Sequence, residues 1–290
     1  GATDIVAAYD VGPVMIHDAT PCTLGEGALW HPEREALYWF DIIERRLLTK
    51  GHQWTFDAHV SAAGWVARDK LLIASARGLH LFDLETADLE DICDMEAEMP
   101  STRSNDGRAD PQGGFWIGTM GLAAEPGAGA YYRYYKGALR QLYDNWTIPN
   151  ATCFAPDGRT AYLTDTPRRI IWQVALDPDG WPEGELTPFV DLSDAGHNPD
   201  GAVVDRDGNL WNAQWQSHRV AVYGPDGAFL TAFGIPASQA TCPAFGGPDL
   251  STLFVTSAAE GLDDPLNPHH GRTFALETRA RGQREHQVLL

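Results

Sequence analysis

Along this chain, apolar residues gather in runs of four to seven, rich in Val, Ile, Leu, Trp, Tyr and Phe and separated by clusters of Gly, Pro and Asp. Almost no stretch keeps the 3.6-residue spacing of an amphipathic helix, so the pattern predicts an all-β fold. One unit recurs: a turn built from Pro, Asp or Gly, then a short strand with an aromatic or large aliphatic centre. It occurs as His31-Pro32-Glu33 before Leu37-Tyr38-Trp39-Phe40, and more weakly as Arg68-Asp69-Lys70 before Leu71-Leu72-Ile73. It returns as Asp110-Pro111-Gln112-Gly113 before Phe115-Trp116-Ile117, and as Pro156-Asp157-Gly158 before Ala161-Tyr162-Leu163. Asp207-Gly208 before Leu210-Trp211 and Gly247-Pro248-Asp249 before Leu253-Phe254-Val255 complete the series.

Aligned on Tyr38, Leu72, Trp116, Tyr162, Trp211 and Phe254, the copies stand 34, 44, 46, 49 and 43 residues apart. Such steps fit four short strands and their turns, the blade of a propeller. Six copies predict a six-bladed β-propeller with residues 1–290 as one domain. A β-sandwich would have no reason to repeat at a fixed interval.

The stretch NPDGAVVDRDGNLWNAQ (198–214) carries two turn signals where a strand needs only one. Asp205 to Gly208 opens the strand centred on Trp211, whereas Pro199-Asp200-Gly201 precedes the apolar Ala202-Val203-Val204. The innermost strand of each blade lines a propeller's channel, so Asp200 is expected to face that channel. Glu26 and Asn150 lie 12 residues before their markers, and Asn105 and Asp200 lie 11 before theirs, which places all four at one level. Glu26, Asn150 and Asp200 offer three oxygens, two of them anionic, a set suited to a hard divalent cation such as Ca²⁺, Mg²⁺ or Mn²⁺. Without a cation the carboxylates would repel each other in a confined channel. Any one of these residues alone would read as a turn cap; three in phase favour a site.

Charge narrows the partners. Forty acidic against 21 basic residues give a formal net charge of −19, which repels phosphate backbones and anionic lipid alike. Nucleic acid and membrane are therefore not expected. No apolar run approaches the ~18 residues of a membrane span, and no basic stretch leads into a hydrophobic N-terminal segment. A soluble, cytoplasmic protein is expected, monomeric or a small homo-oligomer. Cys22, Cys93, Cys153 and Cys242 form no C-x-x-C pair and read as reduced, mostly buried thiols.

Five segments carry a resemblance: LGEGALW (24–30), RSNDGRADPQGGFWIGTM (103–120), PNATCFAPDG (149–158), PDGAVVDRDGNLW (199–211) and FGGPDLSTLFVTSA (245–258). In this order they resemble the signatures of the regucalcin/gluconolactonase family of six-bladed propellers. The resemblance implies one divalent metal ion (Ca, Mg, Mn, Zn or Fe) held by Glu26, Asn150 and Asp200. It also implies hydrolysis of a sugar lactone, with Arg103 and Asn105 contacting the substrate. Asp200 is the candidate general base for an attacking water. Two departures stand out: Ala151 follows Asn150 where many members have Gly, and Glu125 is the stand-in for an acidic substrate contact that some members carry after the position of Met120.

The same ligands would serve a calcium-binding regulatory propeller without turnover, and a Lewis acid could equally polarise a phosphoryl oxygen in an organophosphate. A WD-type interaction propeller predicts Trp-Asp repeats, which are absent. Asp205-Arg206-Asp207-Gly208-Asn209 lacks the spacing of an EF-hand and reads as a turn. Gln214 and Trp215 are expected to pack between blades, outside the site, and Tyr131-Tyr132-Arg133-Tyr134-Tyr135 to alternate its rings across a strand.

Overall fold

A computed structural model describes residues 11–290. Among the described residues the first strand is β1 (Met15–Asp18), and five blades of four consecutive antiparallel strands follow. The first contains β2 (Gly25–His31), β3 (Ala36–Asp41), β4 (Arg46–Thr49) and β5 (His52–Thr55); the second β6 (Val60–Ala67), β7 (Lys70–Ser75), β8 (Gly78–Asp83) and β9 (Leu89–Asp94). The third is β10 (Thr102–Ala109), β11 (Phe115–Gly121), β12 (Gly129–Tyr135) and β13 (Ala138–Trp146). The fourth holds β14 (Pro149–Phe154), β15 (Thr160–Asp165), β16 (Ile170–Leu176) and β17 (Pro182–Asp191), with a single 3₁₀ turn at Thr166–Arg168. The fifth is β18 (Asn198–Val204), β19 (Leu210–Trp215), β20 (Arg219–Tyr223) and β21 (Phe229–Gly234). In the sixth, β22 (Ala240–Gly246), β23 (Thr252–Ser257) and β24 (Thr273–Glu277) pair with β1 as the outermost strand. The first and last of the described strands thus share one sheet, which closes the ring without a covalent link.

All six marker residues fall on the second strand of a blade, and the recurrent turn is the hairpin before it. Its Asp residue is a side-chain cap. Asp205 accepts the N–H groups of Asp207 and Asn209 (2.9 and 3.0 Å), and Asp110 those of Gln112 and Gly114 (2.9 Å each). A buried carboxylate that satisfies two loop donors fixes the turn locally, which is why the signal is readable from sequence.

Apolar residues of adjoining blades interdigitate as separate wedges. Leu29, Tyr38 and Leu47 meet Val60, Trp65 and Leu71; Trp116, Tyr131 and Trp146 meet Phe154, Leu163 and Val174. The last wedge joins Trp39 and Leu37 of the first blade to Cys242, Ala244 and Phe254 of the sixth. Each sheet therefore depends on both neighbours to cover its faces. In the tyrosine run Tyr131 and Tyr134 are buried as alternation would not dictate alone; Arg133 is also buried, ion-paired with Asp110 at 2.7 Å and stacked between Tyr135 and Trp181.

Residues 281–289 run across the channel end opposite the strand starts. Gln283 donates to the Phe154 and Val204 carbonyls, Val288 N–H to Trp65 O, and Leu289 N–H to Gly113 O. This C-terminal segment closes the floor of the channel.

Candidate functional site

The first strand of each blade packs against the first strands of its neighbours, forming the channel wall. Each of these six strands carries a bulge. In β2, Glu26 to Leu29 spans only Phe40 to Tyr38 of β3, so the inner strand has one residue more than its partner; Ser104–Gly107, Asn150–Cys153 and Pro199–Ala202 repeat the arrangement. An extra residue interrupts the alternation of a strand and re-aims the side chains beside it. Glu26, Asn105, Asn150 and Asp200 all stand at such bulges, which gives their common phase in the sequence its physical cause.

With Arg103 they line a cavity of about 390 Å³ at the end where the inner strands begin. The residue after Glu26 is Gly27 at φ +63°, where a side chain would collide with Ser61 O. Its counterpart Ala151 adopts the same left-handed conformation at φ 56°. The missing glycine thus leaves the backbone path unchanged, at a cost of about 1 kcal/mol for placing a Cβ there.

Burial governs the electrostatics. Glu26 is pushed well above the ordinary carboxyl range, first by burial and then by the neighbouring Asp200 charge. Asp200 is pushed up to about 7, again mainly by burial, with Asp106 adding to the rise; its contact with Glu26, the Gly201 N–H and Arg103 oppose it. Each carboxylate is fastened on one side: Gly27 N–H donates to Glu26 Oε2 (3.2 Å) and Gly201 N–H to Asp200 Oδ1 (2.8 Å). Of the two rotations of the Asn150 amide, the second is the better satisfied in the absence of a cation. With its oxygen inward it accepts from Asn105 Nδ2 (3.3 Å) and donates to Thr166 Oγ1 (2.8 Å). Rotated, its nitrogen donates to Asp200 Oδ1 at 3.1 Å and its oxygen accepts from Thr166. Two buried carboxyls in contact, beside an amide whose oxygen can face them, form a donor set that suits a hard divalent cation. Deeper in the channel, oxygens of Glu26 and Asp106 and the sulfur of Cys242 lie within 4.8 Å of one another. Asp106 follows Asn105 and accepts Thr152 N–H at 2.8 Å.

Arg103 is buried and donates through Nη1 to Ser104 O (3.0 Å) and Asn105 Oδ1 (3.1 Å). Asn105 in turn donates to Pro149 O (2.7 Å) and thereby spans two blades. Glu125 does not reach the cavity. Its carboxylate is exposed and turns back to accept Ala123 N–H at 2.8 Å, so the expected substrate contact is corrected: Leu122, Ala123 and Ala124 line that wall instead. Trp215 packs against Leu24, Ile42 and Ala258 of other blades and also borders the cavity, which corrects its expected place outside the site, whereas Gln214 is buried against Asn212, Tyr223 and Arg219. Thr166 and Glu260 also border the cavity and come from connections after β15 and β23. No periodic signal marks such loop positions.

One other cluster has catalytic-looking geometry. Ser75 Oγ lies 2.7 Å from His80 Nε2, and His80 Nδ1 2.7 Å from Asp91 Oδ1. Ser75 is buried, takes the Arg77 N–H, and borders none of the cavity, so the chain of bonds ties β7, β8 and β9 together. Among the described residues no helix is long and apolar enough to cross a membrane.

The chain is 38% identical over 291 residues to the L-arabinolactonase of Azospirillum brasilense, covering 94% of this chain and 95% of that one. It is 33% identical to the pentonolactonase of Haloferax volcanii, covering 92% and 94%. A solved structure described as a calcium-binding protein, regucalcin, from Agrobacterium tumefaciens superposes with a TM-score of 0.93 at 40% identity, over 96% of this chain and 98% of that one. The profile of the SMP-30/Gluconolactonase/LRE-like region matches residues 24–259, and the chain belongs to that family.

Proposed function

We propose that the protein is a divalent-metal-dependent lactonase that opens a sugar lactone to its sugar acid. The observation that carries this is the meeting of Glu26, Asn150 and Asp200 from three blades in a cavity that also exposes Arg103 and Asn105. Glu26, Asn150 and Asp200 would hold the ion; when bound it supplies a fixed positive charge against the negative charge that develops on the lactone oxygen. Arg103 and Asn105 orient the ring by donating to its hydroxyl or carbonyl oxygens. Asp200 accepts a proton from the attacking water, whose oxygen bonds to the carbonyl carbon as the ring C–O bond breaks. The proton passes to the departing ring oxygen, and a hydroxy acid results. Relatives named as lactonases support the reaction class, and the relative described as calcium-binding supports an ion site.

The test is acid release from a panel of pentono- and hexonolactones with each divalent metal in turn, before and after chelation. Metal-dependent hydrolysis of at least one lactone is expected. Ion binding without turnover of any would favour a calcium-binding regulatory protein instead, and full activity in a verified metal-free sample would remove the ion from the reaction.

Stability should report the ion independently. Asp200 sits at about 7, above its value of ~4 in an unfolded chain, so the folded state holds the extra proton across that window. The metal-free protein therefore loses stability as pH rises from ~4 to 7, as the buried carboxyls are made to ionise together. A divalent cation replaces the proton, so the gain in Tm on adding it should grow through the same interval. Calorimetry at pH steps with and without cation checks this; a gain independent of pH would contradict it.

A further inference from the structure

The cavity's charge lining says more about the substrate than its ring. Glu26, Asp200 and Glu260 are carboxylates bordering it, and Arg103 is the one Lys or Arg side chain among its lining residues. Glu260 is held where it stands. Its N–H donates to Thr23 O (2.8 Å), and its carbonyl accepts Gln239 Nε2 (3.1 Å) from a buried glutamine. Its carboxylate is exposed, whereas Arg103 is buried and has no ion-pair partner within 4.0 Å among the described residues. Burial lowers the Arg103 pKa, and the charges of Glu260, Glu26 and Asp200 oppose that effect. Leu24, Met120, Leu122 and Ile148 are apolar members of the same lining.

From this arrangement, and resting on the lactonase reading above, we infer that Glu260 is a specificity residue that selects lactones with uncharged, hydroxyl-bearing tails against those carrying a carboxylate, sulfonate or phosphate. A divalent ion and Arg103 balance the three carboxylates, so a neutral lactone enters a cavity of no net charge. An anionic tail meets Glu260, and the one cationic side chain of the lining, Arg103, is already engaged with Ser104 O and Asn105 Oδ1.

The experiment compares a neutral hexonolactone with the lactone of the same sugar oxidised to a carboxylate at its far end, using metal-loaded protein at low ionic strength. Wild type should prefer the neutral compound. Glu260→Gln should narrow the preference about fivefold, chiefly through KM for the anionic lactone, and Glu260→Lys should reverse it. Added salt should shrink the wild-type preference. An equal preference in wild type and Glu260→Gln, or a wild-type preference for the anionic lactone, would overturn the inference. If neither lactone is hydrolysed, the lactonase reading fails by itself. Calorimetric titration with the corresponding sugar alcohol and sugar acid still measures Glu260 in that case: the ratio of their affinities should shift in the same direction, and an unmoved ratio would defeat the assignment.

Discussion

Asp200→Asn should lower lactone kcat/KM by about a thousandfold or more while raising the stability of the metal-free protein. The activity loss has two sources in one atom pair: a cation ligand becomes a neutral amide, and the group that takes the water's proton disappears. Loss of general-base assistance alone is worth about 10²–10⁴. The stability gain follows from the geometry. Glu26 and Asp200 are buried and in contact, and both are pushed upward by burial. Above about pH 7 the metal-free fold must hold the Asp200 charge buried beside Glu26, so removing it relieves about 1–3 kcal/mol. An amide at this position also keeps the oxygen that accepts Gly201 N–H. Assay of the variant with saturating metal, together with denaturant titration of its metal-free form, tests both halves. Activity within tenfold of wild type would remove Asp200 from the reaction, and a destabilised metal-free variant would show that the carboxylate serves folding instead.

The opposite signs of these effects help explain what could be seen in the sequence. The blade repeat was legible because each first hairpin is fixed by its own residues, as Asp110 and Asp205 show by capping turns within four positions of themselves. Glu26, Asn105, Asn150 and Asp200 were legible because the same bulge recurs in each blade and holds them in phase with a marker on the next strand. Asp106 was hidden by that device, since strict alternation would send it to the face opposite Asn105, yet both are buried at the channel. Trp215, Thr166 and Glu260 sit at a strand end or in loops, where position is set by the assembled ring and not by local pattern. Glu125 failed for a local reason: an N–H two residues away captures its carboxylate. The closure of the sixth blade by β1 was equally invisible, because the four residues MIHD carry no strand periodicity of their own and gain their pairing from β24.

Residues 281–289 yielded no signal either, and they support the second large effect. Arg108 lies across the floor of the channel, donating Nε to Thr152 O (3.1 Å) and Nη2 to Ala202 O (3.3 Å), so it joins three blades. Its charge is met from outside the ring: both oxygens of Glu285 accept from Nη1, at 2.9 and 3.0 Å. Glu285 is itself anchored, since its carbonyl accepts Trp65 Nε1 at 2.8 Å. Glu285→Ala leaves a guanidinium enclosed without its anion, and breaking a buried pair from one side costs about 3–5 kcal/mol. The double variant Arg108→Leu with Glu285→Leu should recover much of that loss, because it removes both desolvated charges at once. Chemical denaturation of the single and double variants separates the two effects. A loss below about 1 kcal/mol for Glu285→Ala would mean that water reaches Arg108 from below and already solvates it. Equal losses in the single and double variants would mean that the segment is held by its backbone bonds to Trp65, Gly113 and Leu250, with the ion pair contributing little.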